Sequence, residues 1–576
     1  MRADSIRTRE YIRTSIPFFL PILVVGVIYL ITLALLPKQY FWIADNDNKF
    51  LQLEAIISSG YADYSIPWPG VALDPEFTFN PLPSPFSQVS GGRLYSIFSP
   101  VFATVSTIPY RLFGFTGLYL LPLAGSLLLL WGVFSVGRAA GFDDRASHAA
   151  VLVTGLCTPV WFYSVLFWEH TIAVACCVWT VYFLFRFTGN RSFRTLAVMS
   201  VLAALGVYFR DELYLFCLVV SLTAGYLYPG RRLRTFFITA GIMLGAVVPL
   251  WFFQGWSIGR PFGFHLGEHL FSVSGITEHL AARPQVVYNL FLAALPNTAL
   301  SVLISAPLIA FLLVPGRFLR GFGWTAVPIA LGGLVLAAVS LGGYIVTESP
   351  IAWLLQSNSL LPASPVLVLA ATSFRPDGAA HKTGGSSPIR LIATLYLLIY
   401  ALAAPAMGST GIHWGNRFVL VLYPLLALLA VEYGMSWARP AGRRKPLAAM
   451  LVGLLLIISF TAQVYSCTLI ARKKDFNRRL TETVATRPEE AVVTDVWWVP
   501  QALSYIFYEK QLFYVPSPVL LQDLGRRLID HGITDVLFIT TTSVHPPTGD
   551  TTRVDDNGLG FFSLDMMHLE LRTGDR

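Results

Sequence analysis

The chain has 576 residues, of which 55% are hydrophobic and 13% charged, and its mean hydropathy is +0.60. Soluble domains carry about 25% charged residues, so the composition excludes that class and points to a polytopic membrane protein. The net charge of +8 is informative mainly through where its arginines and lysines fall along the chain.

The first apolar run, Pro17 to Leu36, follows Arg2, Arg7, Arg9 and Arg13. It is too long for a signal peptide and ends in Leu-Pro-Lys-Gln-Tyr, not a small-residue cleavage site, so it should persist as a membrane span. Directly after it comes Phe41-Trp42-Ile43-Ala44-Asp45-Asn46-Asp47-Asn48-Lys49. Two carboxylates and a lysine stand where the chain leaves the bilayer, beside an interfacial aromatic pair. Such a place suits chemistry on a lipid-linked substrate, and a solvated loop start would explain the same charges. Leu94 to Phe113 is apolar but interrupted by Pro100, Pro109 and Arg111. It is predicted as an interfacial or re-entrant helix, because a span there would reverse the side of every later basic cluster. The first external loop then covers 37–116 and is rich in aromatics and proline.

Further runs of spanning length lie near 117–137, 149–166, 171–187, 235–253, 299–314, 324–343, 351–372, 391–406, 418–436 and 447–467. The apolar region Thr195 to Tyr228 is too long for one crossing and is split by Arg210-Asp211-Glu212, which predicts two short helices. The count is about thirteen transmembrane helices. Loops on the N-terminal side of the membrane then collect 21 arginines and lysines, against eight on the other side before the C-terminal region. The positive-inside rule makes the N-terminus cytoplasmic and the C-terminal domain extracytoplasmic. Residues 1–467 form the membrane domain and 468–576 a small α/β domain. Strand-like Ala491–Asp495 and Asp535–Thr540 flank a helix-like run from Leu520 to His531 there. Asp495-Val496-Trp497-Trp498 suits either sugar stacking or packing of a strand end. Cys157, Cys176, Cys177, Cys217 and Cys467 lie in or beside apolar runs without metal-ligand spacing.

The few external cations are candidate phosphate ligands. Arg93, Arg210 and Arg417 each lie at a membrane edge, where a guanidinium can grip phosphate oxygens in a fixed fork or serve as an interfacial anchor. Trp168-Glu169-His170 opens a span from the same side, and Glu169 with His170 is a candidate for acceptor, metal or structural contacts. In the second external loop, 254–297, His265-Leu266-Gly267-Glu268-His269 matches a His-x-x-Glu-His zinc-peptidase pattern. A glycine inside the turn and the lack of a third ligand favour His265, Glu268 and His269 as loop candidates for substrate contact, with no metal assigned. Glycine-rich nucleotide motifs are absent from the sequence.

An N-in first span, the acidic start Asp45-Asn46-Asp47-Asn48-Lys49, and Gly91-Gly92-Arg93-Leu94-Tyr95-Ser96 leading into a proline-broken helix that ends Phe113-Gly114 together resemble the type-C integral membrane glycosyltransferases. The nearest branch contains protein O-mannosyltransferases and the lipid A aminoarabinose transferase. The resemblance implies an all-α polytopic membrane protein with an external α/β domain, in the plasma (inner) membrane. It implies transfer of a sugar from a polyprenyl-phosphate donor to a lipid, glycan or protein acceptor on the outer face, with no nucleic acid partner. A first-loop aspartate would act as base or orient the acceptor. The family often has Asp-Glu where this chain has Asp45-Asn46-Asp47; the spacing to Lys49 favours Asp45, with Asp47 the alternative. Lys49, Arg93, Arg210 and Arg417 become donor-phosphate candidates. No cofactor is firmly implied, and a divalent cation stays open. A transporter, or a flippase or ligase of lipid-linked glycans, is the rival reading, although no internal repeat supports transport.

The charge asymmetry generates the first prediction. A membrane-impermeant thiol reagent applied from outside should label a cysteine introduced near Gly549 and spare one near Gly384. Equal labelling of both would break the thirteen-span topology.

Overall fold

The computed structural model describes residues 17, 19–266, 276–284, 286, 290, 359–374, 385–404, 412–438, 445–541, 551–555 and 563–571. The expected spans 299–314 and 324–343, Glu268, His269, the basic residues Arg2, Arg7, Arg9, Arg13, Arg317, Arg320, Arg375, Lys382, Arg439, Arg443 and Arg444, and positions 384 and 549 lie outside them.

Four helical stretches among the described residues are long and apolar enough to cross a membrane: Pro100–Ala139, His170–Asn190, Pro229–Ile258 and Ala449–Ala485. Shorter apolar helices accompany them at Leu20–Leu35, Phe193–Val207, Leu213–Tyr226, Ser387–Ala403 and Leu422–Ala438. The protein is therefore a mostly helical, multi-pass membrane protein with a C-terminal sheet domain. The region 195–228 forms two helices with Arg210 in the turn between them, since a run of three charged residues cannot continue an apolar helix through lipid. Pro100–Ala139 is likewise two helices. Gly114, at φ 57°, ends the first at Phe113, and a short 3-10 turn leads into Leu120–Ala139. Pro100–Phe113 is two-faced: Phe102, Ala103, Ser106 and Thr107 are buried, while Val105, Ile108, Leu112 and Phe113 are exposed. That pattern suits a helix lying in the interface plane.

The first loop is ordered around a helix and a hairpin. Eight residues separate helix Ala44–Ser58 from the end of helix Leu20–Leu35. Strands β1 (Ser87–Ser90) and β2 (Arg93–Ser96) pair antiparallel across Gly91-Gly92, whose φ values of 58° and 71° are those a two-residue hairpin turn demands. In β2, Leu94 and Ser96 point inward, which turns Arg93 outward.

The last helix, Lys445–Ala485, has 41 residues. At about 1.5 Å per residue it greatly exceeds the hydrocarbon thickness, so its polar end rises clear of the bilayer and feeds the C-terminal sheet. That sheet has β3 (Ala491–Thr494), β4 (Gln511–Tyr514), β5 (Asp535–Thr541), β6 (Thr551–Asp555) and β7 (Ser563–Glu570) in the order β4-β3-β5-β7-β6. β3 runs parallel to both β4 and β5, and β7 pairs antiparallel with β5 and β6. Helix Pro518–Asp530, capped by Ser517, makes the crossover between β4 and β5.

Sheet and first loop share one apolar core. Leu51, Ile66, Trp68, Phe79 and Leu94 of the loop pack with Val492, Phe513, Leu537 and Leu564 of the sheet. Polar contacts fix the register: Tyr514 donates its backbone N–H to the Phe79 carbonyl at 3.0 Å, and the Trp68 indole donates to the Leu512 carbonyl at 3.0 Å. Arg527 reaches the fully buried Asp74 at 3.2 Å. Replacing Arg527 with Met should leave that carboxylate without its cation and cost about 1–3 kcal/mol. A lowered unfolding midpoint, with faster proteolysis of the C-terminal domain, would register the loss; an unchanged midpoint would show the pair to be inert.

Candidate active site

The polar run that opens the first loop is buried, contrary to a solvated loop start. Asp45, Asn46, Asp47, Asn48, Lys49 and Gln52 are all at most 4% exposed, in the first turns of helix Ala44–Ser58. Buried polar groups must find partners, and each of these does. Successive helix residues turn by 100°, so Asp45 and Lys49 share one face while Asp47 lies 200° away from Asp45.

The face of Asp45 and Lys49 meets three segments from the membrane domain. Arg417 donates to the Asp45 carboxylate. Lys49 lies 3.0 Å from Glu169, and Arg210 donates to the other Glu169 oxygen at 3.1 Å and to Glu212 at 2.8 Å. Three cations thus face three carboxylates in a nearly dry site, which satisfies the requirement that buried charge be compensated. Aromatic faces complete the lining: the Arg417 guanidinium lies 5.5 Å from the Trp168 ring and 5.0 Å from Phe418, and the Lys49 ammonium lies 4.1 Å from Phe98. Burial, the largest influence on Asp45, raises its pKa, but Arg417, Lys49 and Arg210 outweigh it and hold the carboxyl below the usual range. For Lys49 burial dominates and lowers the pKa, against the opposing pull of Glu169 and Asp45.

The cluster carries more donors than it uses. Nη2 of Arg210, Nε of Arg417 and Nε1 of Trp168 are donors buried without a hydrogen-bond partner among the described residues, and so is the acceptor Nε2 of His413, whose Nδ1 donates to the Gly415 carbonyl at 2.7 Å. Both His170 ring nitrogens are in the same condition, and the ring stacks on Tyr163 at 4.8 Å. An unpaired buried donor costs about 1–3 kcal/mol, so convergent ones mark a place where an anion's oxygens would fit. Beside them a partly open cleft is lined by Lys49, Phe98, Ser99, Glu169, Arg210 and His265, among others.

Of the residues singled out in the sequence, Asp45, Lys49, Glu169, His170, Arg210 and Arg417 come together here. Arg93 does not. The hairpin register turns it outward, where it pairs with Asp63 at 2.9 Å with 59% of its side chain exposed. His265 reaches the cleft and pairs with Asp211 at 3.1 Å, while Glu268 and His269 lie outside the described residues. Among the described residues no group of three or more His, Cys, Asp or Glu is arranged to hold a metal ion. Asp47 faces the C-terminal domain, where Ser504 donates to it at 2.7 Å and Lys473 and Lys474 lie nearby. Trp497 stacks on Phe86, with centroids 5.0 Å apart and planes 7° apart, so it serves the junction between loop and sheet. Sequence reading missed Gln501 and Ser504, whose contacts span some 450 residues and leave no local signal.

No family model and no curated protein matches the chain. Among solved structures it is similar to ArnT from Cupriavidus metallidurans bound to undecaprenyl phosphate, at 11% identity and a TM-score of 0.48, with 94% of this chain and 97% of that one covered. It is also similar to the oligosaccharyltransferase AglB from Archaeoglobus fulgidus in complex with an inhibitory peptide and a dolichol-phosphate. That match has 13% identity and a TM-score of 0.43 and covers 90% of this chain and 69% of the other.

Asp47 supplies a pH prediction. Burial pushes its carboxyl up to about 7, against the Ser504 hydrogen bond and the charges of Lys473 and Lys474. An unfolded aspartate titrates near ~3.9, so between about pH 4 and 7 the folded protein holds a proton that the unfolded chain has released. Stability should therefore fall as pH rises through that window. Asp47→Asn keeps the shape without the titration and should exceed wild type in unfolding midpoint at pH 8, with the gap closing toward pH 4. A gap independent of pH would refute the assignment.

Proposed function

We propose that this protein is a membrane glycosyltransferase that takes a sugar from a polyprenyl-phosphate donor on the outer face, with Asp45 as the reacting carboxylate. The observation that carries the reading is the convergence of Arg417, Arg210 and Trp168 donors without partners on the side of Asp45 and Lys49, at a membrane edge and beside a half-apolar cleft. A lipid phosphate needs that combination: charge-assisted donors for its oxygens and apolar walls for its chain.

In the proposed reaction an acceptor hydroxyl oxygen bonds to the anomeric carbon as the carbon–oxygen bond to the phosphate breaks. The electron pair leaves on the phosphate, where Arg417 and Arg210 stabilise it. The hydroxyl proton passes to Asp45. With its carboxylate engaged by Arg417, Asp45 is a weak base; a donor phosphate competing for the guanidinium would release it and raise its basicity. Lys49 and Glu169 hold the geometry through their ion pair. Geometry therefore favours Asp45 over Asp47, although the raised pKa of Asp47 would by itself suit a base near neutrality. We place Arg93 outside the phosphate site on its exposure and its pairing with Asp63. We further propose that residues 468–576 lie outside the cell and that the N-terminus is cytoplasmic, on the distribution of basic residues.

Vesicles containing the purified protein should convert polyprenyl-phosphate sugar to free polyprenyl phosphate when an acceptor is present, whereas a transporter or flippase would move the lipid unchanged. Asp45→Asn should lower transfer at least ~100-fold while leaving insertion intact. Arg417→Lys keeps charge but not the fork and should cost about 10- to 100-fold in kcat/KM for the donor, with Arg417→Gln worse. Near wild-type turnover in Asp45→Asn, with Asp47→Asn inactive, would transfer the role to Asp47.

A further inference from the structure

We infer that the C-terminal domain is a working part of the site: Gln501 and Ser504 are positioning residues that clasp the first turn of helix Ala44–Ser58 and set the placement of Asp45. The inference rests on the reading of Asp45 given above. Asn48 donates its side-chain amide to Gln501 Oε1 at 2.7 Å, and Ser504 donates its hydroxyl to Asp47 Oδ1 at 2.7 Å. All four side chains are at most 4% exposed. Gln501 and Ser504 come from the short helical turns Val499–Ala502 and Ser504–Ile506 that link β3 to β4. The orientation of Gln501 is itself fixed, because its amide nitrogen donates to the Trp497 carbonyl at 3.0 Å.

The helix turn is gripped from opposite sides. Asp45 is tied to Arg417, Asn46 to the Phe167 carbonyl at 2.9 Å and Lys49 to Glu169, all in the membrane domain. At 100° per residue Asp47 and Asn48 point the other way, and their partners come from the C-terminal domain. The sheet's own core does not use these contacts, since its packing is apolar. A polar pair buried across a junction defines position where apolar contacts alone would allow sliding. A helix is stiff over one turn, so play at Asp47 and Asn48 is transmitted to Asp45, and a displacement of about 1 Å can cost ~100-fold in rate.

The full-length protein in vesicles tests this with Ser504→Ala, Gln501→Leu and their combination, beside Ser504→Thr, which keeps the donor. The expected result is a fall in kcat of ~10-fold or more for the double variant. The donor KM should stay within about 2-fold, as only a placement of Asp45 and not a loss of donor binding would leave it, and Ser504→Thr should stay near wild type. Amide hydrogen exchange, which needs no activity, should speed up at residues 44–49 and not in the sheet. Unchanged exchange overturns the clasp, and so does faster exchange with unchanged kcat, or a parallel change in kcat and KM. Failure of the parent reading looks different: wild type would release no polyprenyl phosphate, or Asp45→Asn would stay active, whatever the exchange pattern.

Discussion

A buried charge balance at the membrane edge is the constraint on which the rest of this structure depends. Helix Ala44–Ser58 enters the protein with its first turn full of acids, amides and a lysine, none of them open to water. Taking ions out of water costs several kcal/mol each unless partners recover it, so the segments carrying Glu169, Arg210 and Arg417 must close on this turn from three separate places in the chain. The aromatic rings of Trp168, Phe98 and Phe418 keep the cluster dry, which strengthens each ion pair and raises the cost of each donor left unpaired.

The first loop and the C-terminal sheet are built together. Loop residues Trp68 and Phe79 lie in the sheet's core, Arg527 reaches back to Asp74, and the long last helix carries Phe476 and Leu480 into that core. Apolar burial there supplies the adhesion, at about 25 cal/mol per Å² removed from water, but it is not directional. Direction comes from the polar contacts at Gln501, Ser504 and the Phe79 carbonyl.

Asp45 and Asp47 illustrate how two identical residues acquire different characters two positions apart. Burial acts on both in the same sense. Arg417 and Lys49 reverse its effect on Asp45, whereas a serine hydroxyl and more distant lysines leave Asp47 raised to about 7. Charge partners on one helix face, and their scarcity on the other, decide between an ionised group and one that titrates near neutrality.

Hydropathy and charge were legible without any structure. The apolar runs around 120–139, 170–190 and 232–258, the break at Arg210 and the two-faced helix before Gly114 follow from residue type and period alone, because lipid imposes helices on any apolar run. Asp45, Lys49, Glu169, Arg210 and Arg417 stood out for a similar reason: ionisable residues at a bilayer edge are expensive and therefore few. Only the tertiary structure decided which of them meet. Nothing local separates Arg93 from Arg417; a glycine-glycine hairpin turns one outward to Asp63, and the turn before Leu422 brings the other onto Asp45. Pairings such as Asn48 with Gln501 join residues more than 450 positions apart, and the free energy that forms them lies in burial at a junction that no stretch of sequence contains by itself.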